Sequence, residues 1–320
     1  MEKRIALVLG ATGGIGSAVA DRLSARGWHV RALVRDPARL AGSTFEVLRG
    51  DAMQPESVVA AARGADLIVH AVNPPGYRNW GTLVLPMLES TLAAARASGA
   101  RVVLPGTVYN YGPDVFGTRI DEEAAQKPVT RKGAIRVELE RRLAESGQRA
   151  LIVRTGDFFG PGAANNWFSQ GLVTPGKPLA RVVDPGARGV GHQWAYLPDV
   201  AKAMVELVEQ EATLPRFARF HMEGHFDSDG TEFIAAIQRI VGKVPVWGFP
   251  WRLVGLLSPL VPLLREMHEM RYLWRQAVRL HNARLVAQLG AEPHTPLDEA
   301  VRTTLRSLGC IAPESSPAAP

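Results

Sequence analysis

Two groups of residues in this 320-residue chain carry chemistry by their type and spacing. The first is Gly10, Thr12, Gly13, Gly14, Ile15 and Gly16, which follow the apolar run Ile5 to Leu9 and precede the apolar-periodic positions Ile15, Ala18, Val19 and Leu23. That order reads strand, tight turn, helix. Glycines at 10, 13 and 16 let a pyrophosphate approach the backbone N–H groups that open the helix. The second group is Lys132, Arg136 and Glu140, which lie four apart and so share one helix face. Arg136 is a permanent like charge one turn from Lys132 and is expected to lower the lysine pKa, making it a candidate general acid or base. Glu140 opposes that tuning if it pairs with Arg136, and a solvated basic helix face is the alternative.

A dinucleotide reading makes demands on the strands around the first group. The second strand, Trp28 to Val34, ends at Arg35, where an NAD-selecting protein usually places an acid. Arg35 and Arg39 are expected to clamp a 2′-phosphate, which favours NADP(H) over NAD(H); otherwise they are solvated surface arginines. The third strand, near Phe45 to Leu48, leads to Asp51, a candidate for the adenine amino group or a helix cap. The fourth, Leu67 to Val72, is continuously apolar, as in a parallel sheet buried on both faces, and its Ala71 should face the cofactor. The loop Asn73-Pro-Pro-Gly-Tyr77 then places Tyr77 and Trp80 at the carboxyl edge as substrate-lining candidates. A helix of about 17 residues follows, ending at Gly99, and then a fifth strand, Arg101 to Leu104.

From there the motifs become specific. The glycine turn, Thr107 four residues before Tyr111-Gly112, and the later Arg154-Thr-Gly-Asp-Phe158-Phe159-Gly-Pro together resemble the extended short-chain dehydrogenase/reductase family. The resemblance covers roughly residues 4 to 222 well and the rest loosely. It implies an α/β fold: a Rossmann doubly wound parallel sheet with a smaller, discontinuous C-terminal substrate domain. It also implies that Thr107 is the hydroxyl that donates to a substrate oxygen, with a strand-end cap as its plain alternative. The family expects Tyr-x-x-x-Lys at the next helix; here those positions are Lys132 and Arg136. The usual proton donor is absent. The Lys-x-x-x-Arg-x-x-x-Glu pattern is locally similar to isoflavone reductase-like proteins, in which a lysine replaces the tyrosine, whereas a non-catalytic chain would be similar to NmrA-type redox sensors. By this resemblance Lys132 also belongs to the cofactor site, and Arg136 holds the nicotinamide ribose. A homodimer through the helices near 82–98 and 132–146 is a further family implication.

After a sixth strand, Ala150 to Arg154, Phe158 and Phe159 are expected to pack near the cofactor ring, and Tyr109, Asn165 and Trp167 near the substrate. The expected division is 1–160 with 192–222 for the nucleotide domain, 161–191 with 223–312 for the substrate domain, and a disordered tail at 313–320. Asp199 is expected to open a helix from Val200, and His192 and Gln193 just before it are weaker substrate candidates. His221, Glu223 and His225 lack the spacing of a helical zinc site, so no metal is expected. The Pro-interrupted apolar segment 246–264 reads as core or a lid over an apolar substrate, with a membrane-surface or dimer contact as the alternative. Arg265 to Arg279 reads as one half-buried helix, and Thr295-Pro296-Leu297-Asp298 as a helix start with Pro at the first helical position.

The bulk numbers bound these readings. With 46% hydrophobic and 21% charged residues, the chain is globular. The net charge of +6 is scattered, so it speaks to solubility and anionic ligands, and no nucleic acid partner is expected. No apolar run is long enough to span a bilayer. One cysteine, Cys310, and a first strand that begins almost at once make a cytoplasmic protein the default expectation. The leading function is NADPH-dependent reduction of a small, partly apolar carbonyl or conjugated compound; an NADP sensor and a nucleotide-sugar epimerase or dehydratase are the alternatives.

Overall fold

A computed structural model describes residues 3–74, 79–163 and 166–312. Tyr77, Asn165 and the segment 313–320 lie outside these residues. The first half of the chain runs β1 (Ile5–Leu9), α1 (Gly14–Ala25), β2 (His29–Val34), β3 (Glu46–Arg49), α2 (Pro55–Ala61), β4 (Leu67–His70), α3 (Trp80–Ser98), β5 (Arg101–Thr107), β6 (Arg119–Ile120), α4 (Arg131–Glu145) and β7 (Ala150–Thr155). It continues through β8 (Asp157–Phe159), β9 (Val182–Asp184), β10 (His192–Tyr196), α5 (Leu197–Glu209), β11 (Phe217–His221), β12 (His225–Asp227) and α6 (Glu232–Val241). The last part holds β13 (Val246–Gly248), α7 (Trp251–Leu257), α8 (Pro262–Glu269), β14 (Arg279–Leu280), α9 (Ala283–Leu289) and α10 (Leu297–Ser307).

Seven parallel strands form one sheet in the order β11-β7-β5-β4-β1-β2-β3. Its strands are apolar because both faces are covered: α1 and α5 pack on one side, α2, α3 and α4 on the other. The order reverses between β1 and β4, which opens a crevice at their carboxyl ends where ligands of such folds bind. This is a Rossmann-like α/β fold.

A second core lies beside that sheet. Phe159, Phe168, Trp194, Phe233, Trp274 and residues of α6 and α10 bury one another there, with the small sheet β12-β10-β8 alongside. A smaller cluster joins Val108 and Tyr111, after β5, to Met270, Leu273 and Leu280. Pairing of β6 with β14 ties the same two regions together.

Several expectations are corrected. The segment 246–264 is not core: Val254 alone is buried, and Leu256 and Leu260 are 74% and 79% exposed. Arg265–Arg279 is not one helix, because α8 ends at Glu269, a 3-10 turn takes Met270–Trp274, and Arg279 begins β14. The helix expected from Val200 starts at Leu197, which puts Asp199 inside its first turn. There the carboxylate accepts from the Thr295 amide and hydroxyl at 2.7 and 2.8 Å, so Thr295 serves Asp199 and not α10, whose first residue is Leu297 after Pro296. Trp80 is not in a loop; it opens α3 and is buried.

Candidate active site

The crevice is built first by the glycine turn. Gly10 has φ +93°, and a Cβ there would meet Ala71 O of the neighbouring strand end at 2.5 Å. A Cβ on Gly16 would meet Gly10 O at 2.1 Å, and one on Gly14 the Leu197 side chain at 3.0 Å. These three positions are fixed by the protein's own packing. Gly13 is different, since its nearest contact would be an ordinary 3.4 Å. No close contact among the described residues requires its glycine. Gly13 caps α1 with no side-chain hydrogen bond and no acid follows in the first turn, so the positive helix end near Thr12 and Ile15 is left to an anion.

At the end of β2, Arg35 and Arg39 are both exposed. Asp36, between them, is already engaged: its carboxylate accepts from the Ala38 amide at 3.1 Å. Asp51 Oδ1 likewise accepts from Met53 N at 2.9 Å, which closes the turn ahead of α2, whose cap position is Gln54. Ala71 lies at the switch point beside Gly10, and Phe158 is half-buried on β8 against the nucleotide-side core. Phe159, by contrast, is fully buried in the second core against Phe168, Tyr196 and Phe233.

Thr107 ends β5, and its hydroxyl oxygen accepts from the Tyr109 amide at 3.2 Å, so it caps the following 3-10 turn. The hydroxyl hydrogen is still available for donation. Gly133 brings α4 against this turn: a Cβ there would lie 2.3 Å from Tyr109 O. That close approach sets Lys132 beside Tyr109, and the two share a pocket with Trp167, Gln170, Leu263 and Met267.

Lys132 is 2% exposed. Its ammonium lies 2.8 Å from Glu266 Oε2 and 3.5 Å from Glu269 Oε2 and donates to Glu266 O at 3.0 Å. The groups facing it are thus carboxylates of α8, which spacing within α4 could not reveal. Arg136 donates to Asn73 Oδ1 at 2.9 Å and lies over the Trp80 ring, 5.2 Å from its centroid. Glu140 does not pair with Arg136. It accepts from Arg154 and from Asn110 Nδ2 in a fully enclosed network. In that network Tyr111 accepts from Arg154 at 2.6 Å and donates to His221 Nε2 at 2.8 Å, while His221 Nδ1 donates to Ile120 O at 3.0 Å. Burial, with Arg154 alongside, pushes the His221 pKa down to about 3.

Residues missed by sequence reasoning are Glu266, Glu269, Asn73 and His70. His70, at the end of β4, has Nδ1 against the Thr91 hydroxyl at 2.7 Å and a buried Nε2 with no hydrogen-bond partner among the described residues. Burial first, and then Arg136, lowers its pKa to about 3. A histidine closing an apolar strand at the crevice was the available signal. The weaker candidates are used structurally: His192 bonds Asp157 at 3.0 Å and stacks on Trp274, and Gln193 spans Met222 O and Leu280 N. His225 packs on Phe159 and His294.

A family model described as NAD(P)H-binding matches residues 10–167. A 3-diazoavenalumate denitrifying reductase from a Streptomyces species is 33% identical over 277 residues, covering 79% of this chain and 85% of its own. The chain belongs to the extended short-chain dehydrogenase/reductase family. Eugenol synthase 1 of Petunia hybrida is 24% identical over 256 residues, 76% of each chain. Among solved structures, UDP-glucose 4-epimerase from Brucella ovis in complex with NAD superposes with a TM-score of 0.72 at 18% identity, covering 96% of this chain and 98% of its own. That likeness shows the fold. This short-chain dehydrogenase/reductase is an NAD(P)-dependent oxidoreductase, and among its described residues no helix is long and apolar enough to cross a membrane.

Proposed function

We propose that this protein is an NADPH-dependent reductase of a small, partly apolar carbonyl or conjugated compound, with Lys132 working where the family places tyrosine. The observation that carries the reading is a buried lysine at the tyrosine position, in a pocket whose wall combines Tyr109, Trp167, Leu263 and Met267 with the polar Asn166, Gln170 and Glu266. The named activities of relatives point the same way: the Streptomyces reductase, eugenol synthase and a phenylcoumaran benzylic ether reductase of Nicotiana tabacum.

In this reading Gly10 to Gly16 hold the pyrophosphate and Arg35 and Arg39 the 2′-phosphate, supported by their exposure and by the prior engagement of Asp36. Asp51 and Ala71 flank the adenine and nicotinamide halves, Phe158 packs near the ring, and Arg136, steadied by Asn73, reaches the ribose hydroxyls. The nicotinamide, when bound, supplies hydride. Thr107 donates its hydroxyl hydrogen to the substrate oxygen as charge develops there. Lys132 Nζ gives up a proton to the reduced substrate, after the substrate has taken the place of one α8 carboxylate oxygen at the ammonium. Trp80, and Tyr77 and Asn165 from outside the described residues, complete the proposed substrate side.

The test is loss of NADPH absorbance against a panel of aldehydes, ketones and enones, with Lys132→Met and Thr107→Ala beside the native chain. Substrate-dependent oxidation that both substitutions leave unchanged would sink the mechanism. Cofactor choice is checked by titration: Arg35→Ala is expected to weaken NADPH about tenfold or more and to leave NADH unchanged. The epimerase reading is disfavoured by the absence of the tyrosine and lysine on which that chemistry relies.

A further inference from the structure

Nine large apolar side chains are exposed among the described residues, and seven of them lie between Val246 and Leu263. They belong to β13, α7, α8 and the turn between the two helices. Gly255 lets the two helices close on each other, since a Cβ there would touch the His268 ring at 3.3 Å. The hairpin tip carries Leu256 and Leu260, which are 74% and 79% exposed.

The charged residues along this segment all have one sign. From Gly242 to Arg265 the chain contains Lys243, Arg252 and Arg265, all exposed, and no Asp or Glu. Exposed Trp247 stands at the flank, with the Arg181 guanidinium 4.5 Å from its ring centroid. Of the nearest acids along the chain, Glu269 faces inward to Lys132, and Glu266 binds Lys132 through Oε2 while its Oε1 lies 4.0 Å from Arg265 Nε. An apolar tip with a cationic flank and an interfacial tryptophan matches the surface of an anionic bilayer. A second copy of the chain fits poorly, because a self-complementary contact here would bring the same cations together, and the acid beside them, Glu266, is already bound to Lys132.

The apolar surface is also continuous with the active-site cleft. Leu263 is 47% exposed at the hairpin and lines the pocket that holds Lys132. We propose that the α7–α8 hairpin docks this enzyme onto anionic lipid membranes, with Leu256 and Leu260 entering the headgroup layer and Lys243, Arg252 and Arg265 facing lipid phosphates. Docking places the mouth of the cleft at the membrane surface. It stands apart from the reductase reading, and its test needs no turnover.

The experiment is flotation of the full chain with phosphatidylcholine vesicles and with vesicles that also contain phosphatidylglycerol. The expected result is association with the anionic vesicles that weakens as salt is raised. The variant Leu256→Glu with Leu260→Glu is expected to lose that association about tenfold or more while keeping the native circular dichroism spectrum and melting temperature, because both side chains are already in solvent. Arg252→Glu with Arg265→Glu should abolish the preference for anionic lipid. The proposal is overturned by absence of binding to anionic vesicles, or by equal binding of the leucine variant. It is also overturned if light scattering finds a dimer that this variant converts to monomer, which would assign the face to a second copy.

Discussion

Two buried cations beside α4 meet carboxylates in different ways. Arg154 is held by Glu140, Tyr111 and His221, groups carried by α4, the turn after β5 and β11, all on or beside the seven-stranded sheet. Lys132 is held by Glu266 and Glu269, which come from α8 and remain about a quarter exposed. The first network is locked inside the sheet's own packing. The second depends on a short helix whose neighbouring face is in solvent. Burial of an ion pair alone therefore does not mark a working site; what matters is whether one partner can leave. Lys132 has that property and Arg154 does not.

The contrast can be broken by substitution. Lys132→Met is expected to lower turnover by about 10²–10⁴-fold, the scale of a lost general acid, with little change in the urea midpoint. A large drop in stability without a drop in rate would reverse the assignment. Glu140→Ala is expected to cost about 3–5 kcal/mol of stability, read from the same urea transition, because it strands the fully buried Arg154 guanidinium without its carboxylate. Acid should attack the fixed network selectively. His221 is neutral when folded, with a pKa near 3 against an ordinary 6.5, so below about 6.5 the unfolded chain takes up a proton that the folded chain refuses. Stability present above that pH is lost on acidification at about 1.4 kcal/mol per pH unit, and His221→Gln should flatten that part of the slope. Glu266→Gln should be the mildest, under about 1 kcal/mol, since its carboxylate is partly in water and Glu269 stays behind.

The same contrast explains what could be read without a structure. The glycine turn, the strand sequence of the sheet and the Lys132–Arg136–Glu140 face are local patterns, and spacing alone exposes them. What each side chain faces is not local. Glu266 lies 134 residues beyond Lys132, and Arg154 draws Glu140 away from Arg136 across a strand. Thr295 carries a cap signature, yet its hydroxyl and amide bond to Asp199, because a buried carboxylate in the first turn of α5 needs donors more than α10 needs a cap. The apolar positions Met267, Met270, Leu273 and Trp274 keep a helical period across the end of α8, so composition could not show the 3-10 turn. Hydrophobicity in 246–264 was plain from sequence, but only the packing revealed that it faces outward.

Pairing of β6 with β14 sets an order on folding. Arg119 pairs with Arg279, a separation of 160 residues (279 − 119), so the pair closes a very long loop and can form only late. The seven-stranded sheet is complete once β11 has been added at residue 221. A growing chain thus assembles its nucleotide crevice before α8 exists to close over Lys132. In chain order, then, the roof of the cleft is laid over a sheet whose strands have all been made.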